Sequence, residues 1–200
     1  RTFGMKYRRR SADSILEEIK VRYNEGVRVF DFEDDHLTYR MEEMKDLCRR
    51  LIGLFPEKDV RFLAMNGIFY QDLDSELLGL MRQAGFTHLN LSLVSAGDAV
   101  CRQIGRPRDL EKYRAVVSEA SGLGLRVTGY QILGLPDEDL DSMIHTLCFQ
   151  AGLPLLLGAS PFYLTPGSPA ARDFKKQDEA DWVRARMTAM AADTKHFKRE

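Results

Sequence analysis

Val27-Arg28-Val29-Phe30-Asp31-Phe32 runs straight into Glu33-Asp34-Asp35-His36. Further on, Arg126-Val127-Thr128-Gly129-Tyr130-Gln131-Ile132-Leu133 runs into Gly134-Leu135-Pro136-Asp137-Glu138. Each stretch reads as an apolar strand that delivers acidic or glycine-rich chain to one end of a sheet. In parallel α/β architectures that end carries the chemistry.

Between and around these strands the hydrophobic period alternates between helix-like and strand-like. A helix begins at the cap candidates Ser11, Asp13 and Ser14, carries Ile15, Leu16, Ile19 and Tyr23 on one face, and stops at Gly26. After strand Val27–Phe32 come helix Arg40–Leu54, strand Val60–Met65, helix Ser75–Ala84 and strand His88–Leu93. A loop through Gly97, Gly105 and Pro107 leads to helix Asp109–Leu123 and strand Arg126–Leu133. Helix Asp137–Gln150, a strand from Leu153 towards Phe162 and Tyr163, and an amphipathic helix Glu179–Phe197 with Trp182, Met187 and Met190 complete the pattern.

Five strands alternating with helices mark stacked βαβ units in one domain, residues 1–200. The strands read as apolar on both faces, as in a sheet covered by helices. Five strands are too few for a complete eight-stranded barrel, so the expected α/β fold is a partial barrel or an open twisted sheet. The first strand follows a helix, so the sheet is expected to lack a neighbour on one edge. A loop or a second copy of the chain would have to cover that edge, which makes a dimer through it one expectation.

Bulk composition narrows the function classes. Of 200 residues, 44% are hydrophobic and 30% charged, an ordinary globular mix. A net charge of −1 gives no broad electrostatic case for nucleic acid, and Lys6-Tyr7-Arg8-Arg9-Arg10 reads as a solvated lead-in or an intramolecular contact. No apolar run approaches a bilayer span. Cys48, Cys101 and Cys148 have neither disulfide-framework nor metal-ligand spacing. Cys48 and Cys148 fall in helical patterns and read as buried thiols of a cytoplasmic protein.

Right-handed crossovers bring all strand C-termini to one side. There Glu33, Asp34 and Asp35 would converge with Asn66, with Ser92 and Ser95, with Gly134 to Glu138, and with Pro161 to Tyr163. The acids have two readings: a solvated loop in which Asp35 or Thr38 caps the next helix, or a site for an ammonium group or a metal. Gly129 inside a strand suggests close approach of a ligand or of another chain segment to the main chain. Pro136 and the acids after it also suit a helix N-terminus. A metal held by Asp34, Asp35 and His36 would make a metal-dependent (β/α)-barrel lyase or hydrolase, although three adjacent residues seldom converge on one ion. A non-catalytic dimerising scaffold is a third reading. No phosphate-binding glycine loop and no nucleophile elbow is present.

Taken in order, these residues resemble the radical S-adenosylmethionine (radical SAM) superfamily, and within it the Fe–S oxidoreductases that often carry an upstream cobalamin-binding domain. The matching pieces are Phe3-Gly4, Tyr7 to Ser11, Glu17-Glu18-Ile19, Phe30 to Asp35, Leu91 to Ser95 with Gly105-Arg106, Ile132 to Pro136, and Thr165 to Pro169. The resemblance implies a partial (β/α)₆ TIM-like barrel whose first strand and cluster loop precede Arg1. It implies reductive cleavage of S-adenosylmethionine to a 5′-deoxyadenosyl radical that abstracts hydrogen from a substrate of unknown identity. A [4Fe–4S] cluster on a C-x-x-x-C-x-x-C loop and an electron donor such as flavodoxin or ferredoxin belong to that chemistry, with cobalamin brought by a further domain.

Carried onto this chain, the resemblance has Glu33, Asp34 and Asp35 face the methionine ammonium. Asn66, Ser92 and Ser95 would bond the ribose or carboxylate, and Arg106 the carboxylate. The main chain at Leu133, Gly134 and Leu135 would support adenine. Two departures stand out. Asp137-Glu138 replaces the family's usual Gly-Glu, and none of the three cysteines has the cluster spacing. This chain alone is therefore expected to hold no cluster, and to be an inactive, excised piece of a longer enzyme.

Overall fold

The computed structural model describes residues 8–34, 36–57, 59–164 and 194–197. Its centre is a five-stranded parallel sheet with the strands in sequence order: β1 Val29–Asp31, β2 Arg61–Ile68, β3 Phe86–Val94, β4 Arg126–Leu133 and β5 Leu156–Pro161. Six α-helices connect them among the described residues: α1 Ala12–Asn24, α2 Met41–Leu54, α3 Ser75–Ala84, α4 Asp98–Gln103, α5 Leu110–Gly122 and α6 Leu140–Ala151. Sequential order means that every crossover steps the same way, and right-handed steps in one direction put all crossover helices on one face. That is how a barrel wall is wound; in a doubly wound sheet the order reverses. The expected partial barrel is the observed fold, with the sheet open at both edges among the described residues.

Side-chain caps fix where the helices begin. Ser11 Oγ accepts the N–H of Ser14 at the start of α1, and Asp74, Asp109 and Asp139 do the same for α3, α5 and α6. The helix-side face of the sheet carries Phe62, Ala64, Phe86, Leu89, Leu91 and Val127 into one core with Leu47, Leu51, Leu77, Met81 and Val117. Phe62 and Phe86 meet across β2 and β3 with ring centroids 5.5 Å apart. Each fully buried side chain of this size contributes about 1.5–3 kcal/mol.

The opposite face departs from expectation. Asn90 pairs with Thr128 and Ser92 with Tyr130 across β3 and β4, so the inner face is polar, not apolar. This face lines the inside of the barrel wall. For Gly129 the structure selects approach by another chain segment over approach by a ligand. A Cβ there would lie 2.2 Å from Gln150 Oε1 and 2.4 Å from the Tyr113 hydroxyl, on the helix side. Its absence makes room for the buried Tyr113–Gln150 hydrogen bond of 3.0 Å, so Gly129 serves helix-on-sheet packing and not the approach of a ligand.

Several boundaries move for local reasons. Helix α6 starts at Leu140, because Leu135 to Glu138 closes a β-turn (Glu138 N–H to Leu135 C=O, 3.0 Å) with Pro136 second and Asp137 third. Asp137 has φ 60, and a positive φ at that position is what a type II turn requires. A glycine, which the resemblance leads one to expect here, takes up such a φ without strain; Asp137 takes it up with a side chain. Helix α2 starts after Arg40 with no side-chain cap, so Thr38 does not cap it; Asp35 lies outside the described residues. Helix α4 forms inside the stretch read as loop. Cys148 is exposed, not buried, because α6 turns that side to solvent. The expected helix Glu179–Phe197 lies outside the described residues except for 194–197, which are not helical, and Thr165 to Pro169 also lie outside them.

Candidate functional site

The site is built by an irregularity in β2. Between Ala64 and Ile68 four steps along β2 match only the two from Leu89 to Leu91 on β3. The surplus residues leave the ladder as a bulge that aims Asn66 and Gly67 at Ser92. Gly67 has φ 83, and a Cβ on it would sit 3.9 Å from the Ser92 Cβ. Both neighbouring strands hold the bulge: Asn90 Nδ2 donates to the Met65 carbonyl at 2.5 Å, and the Met65 N–H donates to Asp31 Oδ1 at 3.3 Å.

On the other side, α4 ends in a left-handed Gly105, φ 65. Arg106 N–H reaches back to the Cys101 carbonyl (2.9 Å) and Gly105 N–H to that of Arg102 (3.2 Å), the double bond of a Schellman cap. This cap presents Arg106 to the mouth of a cavity of about 380 Å³ lined by His36, Asn66, Gly67, Phe69, Ser92 and Arg106. Arg106 is exposed and forms no ion pair among the described residues. The lining is rich in donors, and none of these six residues is acidic.

The acids named above lie elsewhere. Glu33 and Asp34 line a second cavity, of about 340 Å³, between α1 and the edge strand β1, together with Arg8, Arg9, Arg10 and Arg22. The Asp31 carboxylate beside Glu33 holds its carboxyl above the usual range. Asp34 Oδ1 accepts the His36 N–H at 2.8 Å, so it shapes the turn after β1. The basic run makes intramolecular contacts: Arg9 pairs with Glu43 at 2.5 Å and Arg10 with Glu18.

Ser95 is fully buried and donates to Glu138 Oε1 at 3.2 Å, while its oxygen accepts the Gly97 N–H at 3.0 Å. Leu133 is half-buried; Gly134 and Leu135 are buried, and their N–H groups donate to Glu138 Oε2 at 3.1 and 3.3 Å. Burial pushes the Glu138 carboxyl above the usual range, against the pull of these donors. Leu135 joins Val94 and Val100 in a small apolar cluster with Ile104, Ile132 and Phe162. This forms a nonpolar floor at the C-terminal end of β3 and β4. Val94 there has φ 72, an unusual backbone for a β-branched residue.

The structure thus brings Asn66, Ser92 and Arg106 into one cavity and leaves Glu33 and Asp34 in another. Ser95 stays in the interior and Asp35 lies outside the described residues. His36 and Phe69 join the first cavity, where sequence reasoning had weighed His36 only as a metal ligand. Among the described residues no group of three His, Cys, Asp or Glu side chains could hold a metal ion; Asp35, one of the three residues of the lyase reading, lies outside them. No described helix is long and apolar enough to cross a membrane.

A one-directional parallel sheet with a donor-rich cavity at the strand C-termini defines the class as a partial (β/α) barrel. The Radical SAM superfamily signature matches residues 1–149, and the chain belongs to that superfamily. Its members use S-adenosylmethionine and a [4Fe–4S] cluster. The cytidylyl-2-hydroxyethylphosphonate methyltransferase of Streptomyces wedmorensis is 29% identical over 136 residues, 67% of this chain and 25% of that protein. An uncharacterised methyltransferase of Pyrococcus horikoshii is 24% identical over 156 residues, 76% of this chain and 33% of that protein. The chain therefore spans a quarter to a third of the curated relatives it matches.

Among solved structures, the fold is shared with the radical S-adenosylmethionine methyltransferase TsrM of Kitasatospora setae, solved with tryptophan and a SAM analog. There the TM-score is 0.73 at 15% identity, over 80% of this chain and 32% of that one. A second TsrM structure holds cobalamin and a [4Fe–4S] cluster (TM-score 0.71, 15% identity, 80% and 33% covered). Methylornithine synthase shares the fold at a TM-score of 0.62, 18% identity, over 88% of this chain and 50% of that one.

Proposed function

We propose that residues 1–200 form a single partial-barrel domain that binds S-adenosylmethionine within a radical SAM methyltransferase. The observation that carries this reading is the shared cavity of Asn66, Ser92 and Arg106 at the strand C-termini. The donor set fits the ligand. Arg106 offers two parallel N–H groups to a carboxylate, Asn66 and Ser92 match ribose hydroxyls, and the apolar floor of Leu135, Ile132 and Phe162 suits a flat base. Glu33 and Asp34 line a separate cavity with four arginines and carry no part of this reading.

The three cysteines do not fit a cluster. Cys48 and Cys101 are buried in separate helices, Cys148 is exposed on a third, and burial pushes the Cys48 thiol up to about 12. The role of this chain's own residues is to bind and orient S-adenosylmethionine. A one-electron donor such as flavodoxin or ferredoxin serves the reductive step in the whole enzyme. The methyl-transfer class rests on the two curated relatives, both methyltransferases by name.

Calorimetric titration with S-adenosylmethionine tests the site. Arg106→Ala is expected to weaken binding about tenfold or more, the loss of a bidentate charge-assisted contact. Arg114→Ala on α5, where the guanidinium lies over the Phe149 ring, should leave affinity unchanged. Equal affinities in wild type, Arg106→Ala and Ser92→Val would overturn the reading.

A further inference from the structure

His36 and Asp72 form a dyad on the wall of the cavity that holds Asn66, Ser92 and Arg106. They arrive from different elements: His36 from the turn after β1, and Asp72 from the 3₁₀ turn Tyr70–Asp72 after β2. His36 Nε2 meets Asp72 Oδ2 at 2.8 Å. The imidazole is flanked by Tyr39 (ring centroids 5.1 Å apart) and by the Phe69 ring at 81° (6.0 Å). A carboxylate offers only acceptors, so in the neutral ring the proton sits on Nε2 and Nδ1 keeps its lone pair. Among the described residues Nδ1 has no hydrogen-bond partner.

We infer that His36 accepts a hydrogen bond, and then a proton, from an O–H or N–H group of the substrate, with Asp72 as its positioning residue. The inference rests on the proposed S-adenosylmethionine site, since that ligand defines what reacts in the cavity. In the step, the substrate O–H or N–H bond breaks and an Nδ1–H bond forms. The electron pair stays on the substrate heteroatom, and Asp72 stabilises the imidazolium. The other lining residues cannot replace it. Arg106 has no acceptor and stays protonated, and the Asn66 amide and Ser92 hydroxyl are far weaker bases than imidazole. The substrate class that fits carries a hydroxyl or amine group that can reach His36 Nδ1.

Imidazole ¹H–¹⁵N spectra of the chain, with His36 assigned through His36→Gln, read the tautomer directly. The expected form is Nε2–H in the wild type and its loss in Asp72→Asn, whose amide NH₂ can donate to Nε2. Carbethoxylation by diethyl pyrocarbonate, read by mass spectrometry at each histidine, is expected to slow about tenfold at His36 in Asp72→Asn. At His145 on α6 it should not change. An Nδ1–H ring in the wild type, or an unchanged rate at His36, overturns the inference. S-adenosylmethionine affinity measured on the same samples separates the two claims. No binding with the Nε2–H ring intact overturns the site and the substrate role together, whereas the wrong tautomer with normal binding overturns the dyad alone.

Discussion

Asn90 Nδ2 donates to the Met65 carbonyl oxygen at 2.5 Å, tying the middle of β3 to the bulge in β2 that carries Asn66. Asn90 is buried, and no apolar residue can make this bond. Asn90→Ala leaves a bulge carbonyl without its donor, a cost of about 1–3 kcal/mol. It should also weaken S-adenosylmethionine binding through a residue outside the cavity lining. Urea unfolding and calorimetry on the same variant check both effects. Lowered stability with unchanged affinity would mean that the bulge keeps its shape without Asn90.

Gly129→Ala is expected to destabilise by about 3 kcal/mol, at the upper end for overpacking. The new methyl group would enter the space of Gln150 Oε1 and the Tyr113 hydroxyl. The denaturation midpoint reports this. The double variant Gly129→Ala with Gln150→Ala should recover part of the loss.

Glu138 gives a signed dependence on pH. Its folded-state pKa is raised by burial, so between the unfolded and folded values the native chain holds a proton that the unfolded chain has released. Its contribution to stability therefore falls as pH rises through that window and returns as pH drops from neutrality towards the ordinary carboxyl range. Glu138→Gln can keep the bonds, with Oε1 accepting from Gly134 and Leu135 and Nε2 donating to Ser95. It should lose the pH-dependent increment. Glu138→Ala strands those donors at a cost of about 3 kcal/mol. Unfolding free energies of wild type minus Glu138→Gln, plotted against pH, display the increment directly.

Thiol titration of the native chain with Ellman's reagent should show one fast cysteine, the exposed Cys148. Cys48 and Cys101 should react only on unfolding, since burial raises both thiols. Three fast thiols would mean that α2 and α4 open readily.

The sheet, its parallel direction and its helices were legible because the hydrophobic period changes at each boundary and Ser11, Asp109 and Gly85 mark ends by their own chemistry. Asn66 and Ser92 were legible together because strand C-termini must share one side, whereas Arg106 was legible only through the family resemblance. Asn90 and Asp72 were not. A buried amide inside an apolar strand looks like any polar interruption, and Asp72 meets His36 only through the fold. Helix α6 shows a further limit. It buries Thr146 and Gln150 and exposes Leu140, Ile144 and Leu147, so the apolar stripe that marks it as a helix points away from the sheet. Gly129 stayed open between a ligand and another chain segment because a missing side chain leaves no mark of which face needs the room.

The sequential strand order also governs how the chain can assemble in time. Each of β2 to β5 pairs with the strand just before it, so among these strands no pairing waits for a distant partner to be synthesised, and each closure spans a single βα unit. The sheet can grow from β1 to β5 as the polypeptide emerges from the ribosome. A pause after β3 would leave the bulge and its Asn90 tether already in place. The Glu138 network would still wait for β4 and the turn that follows it.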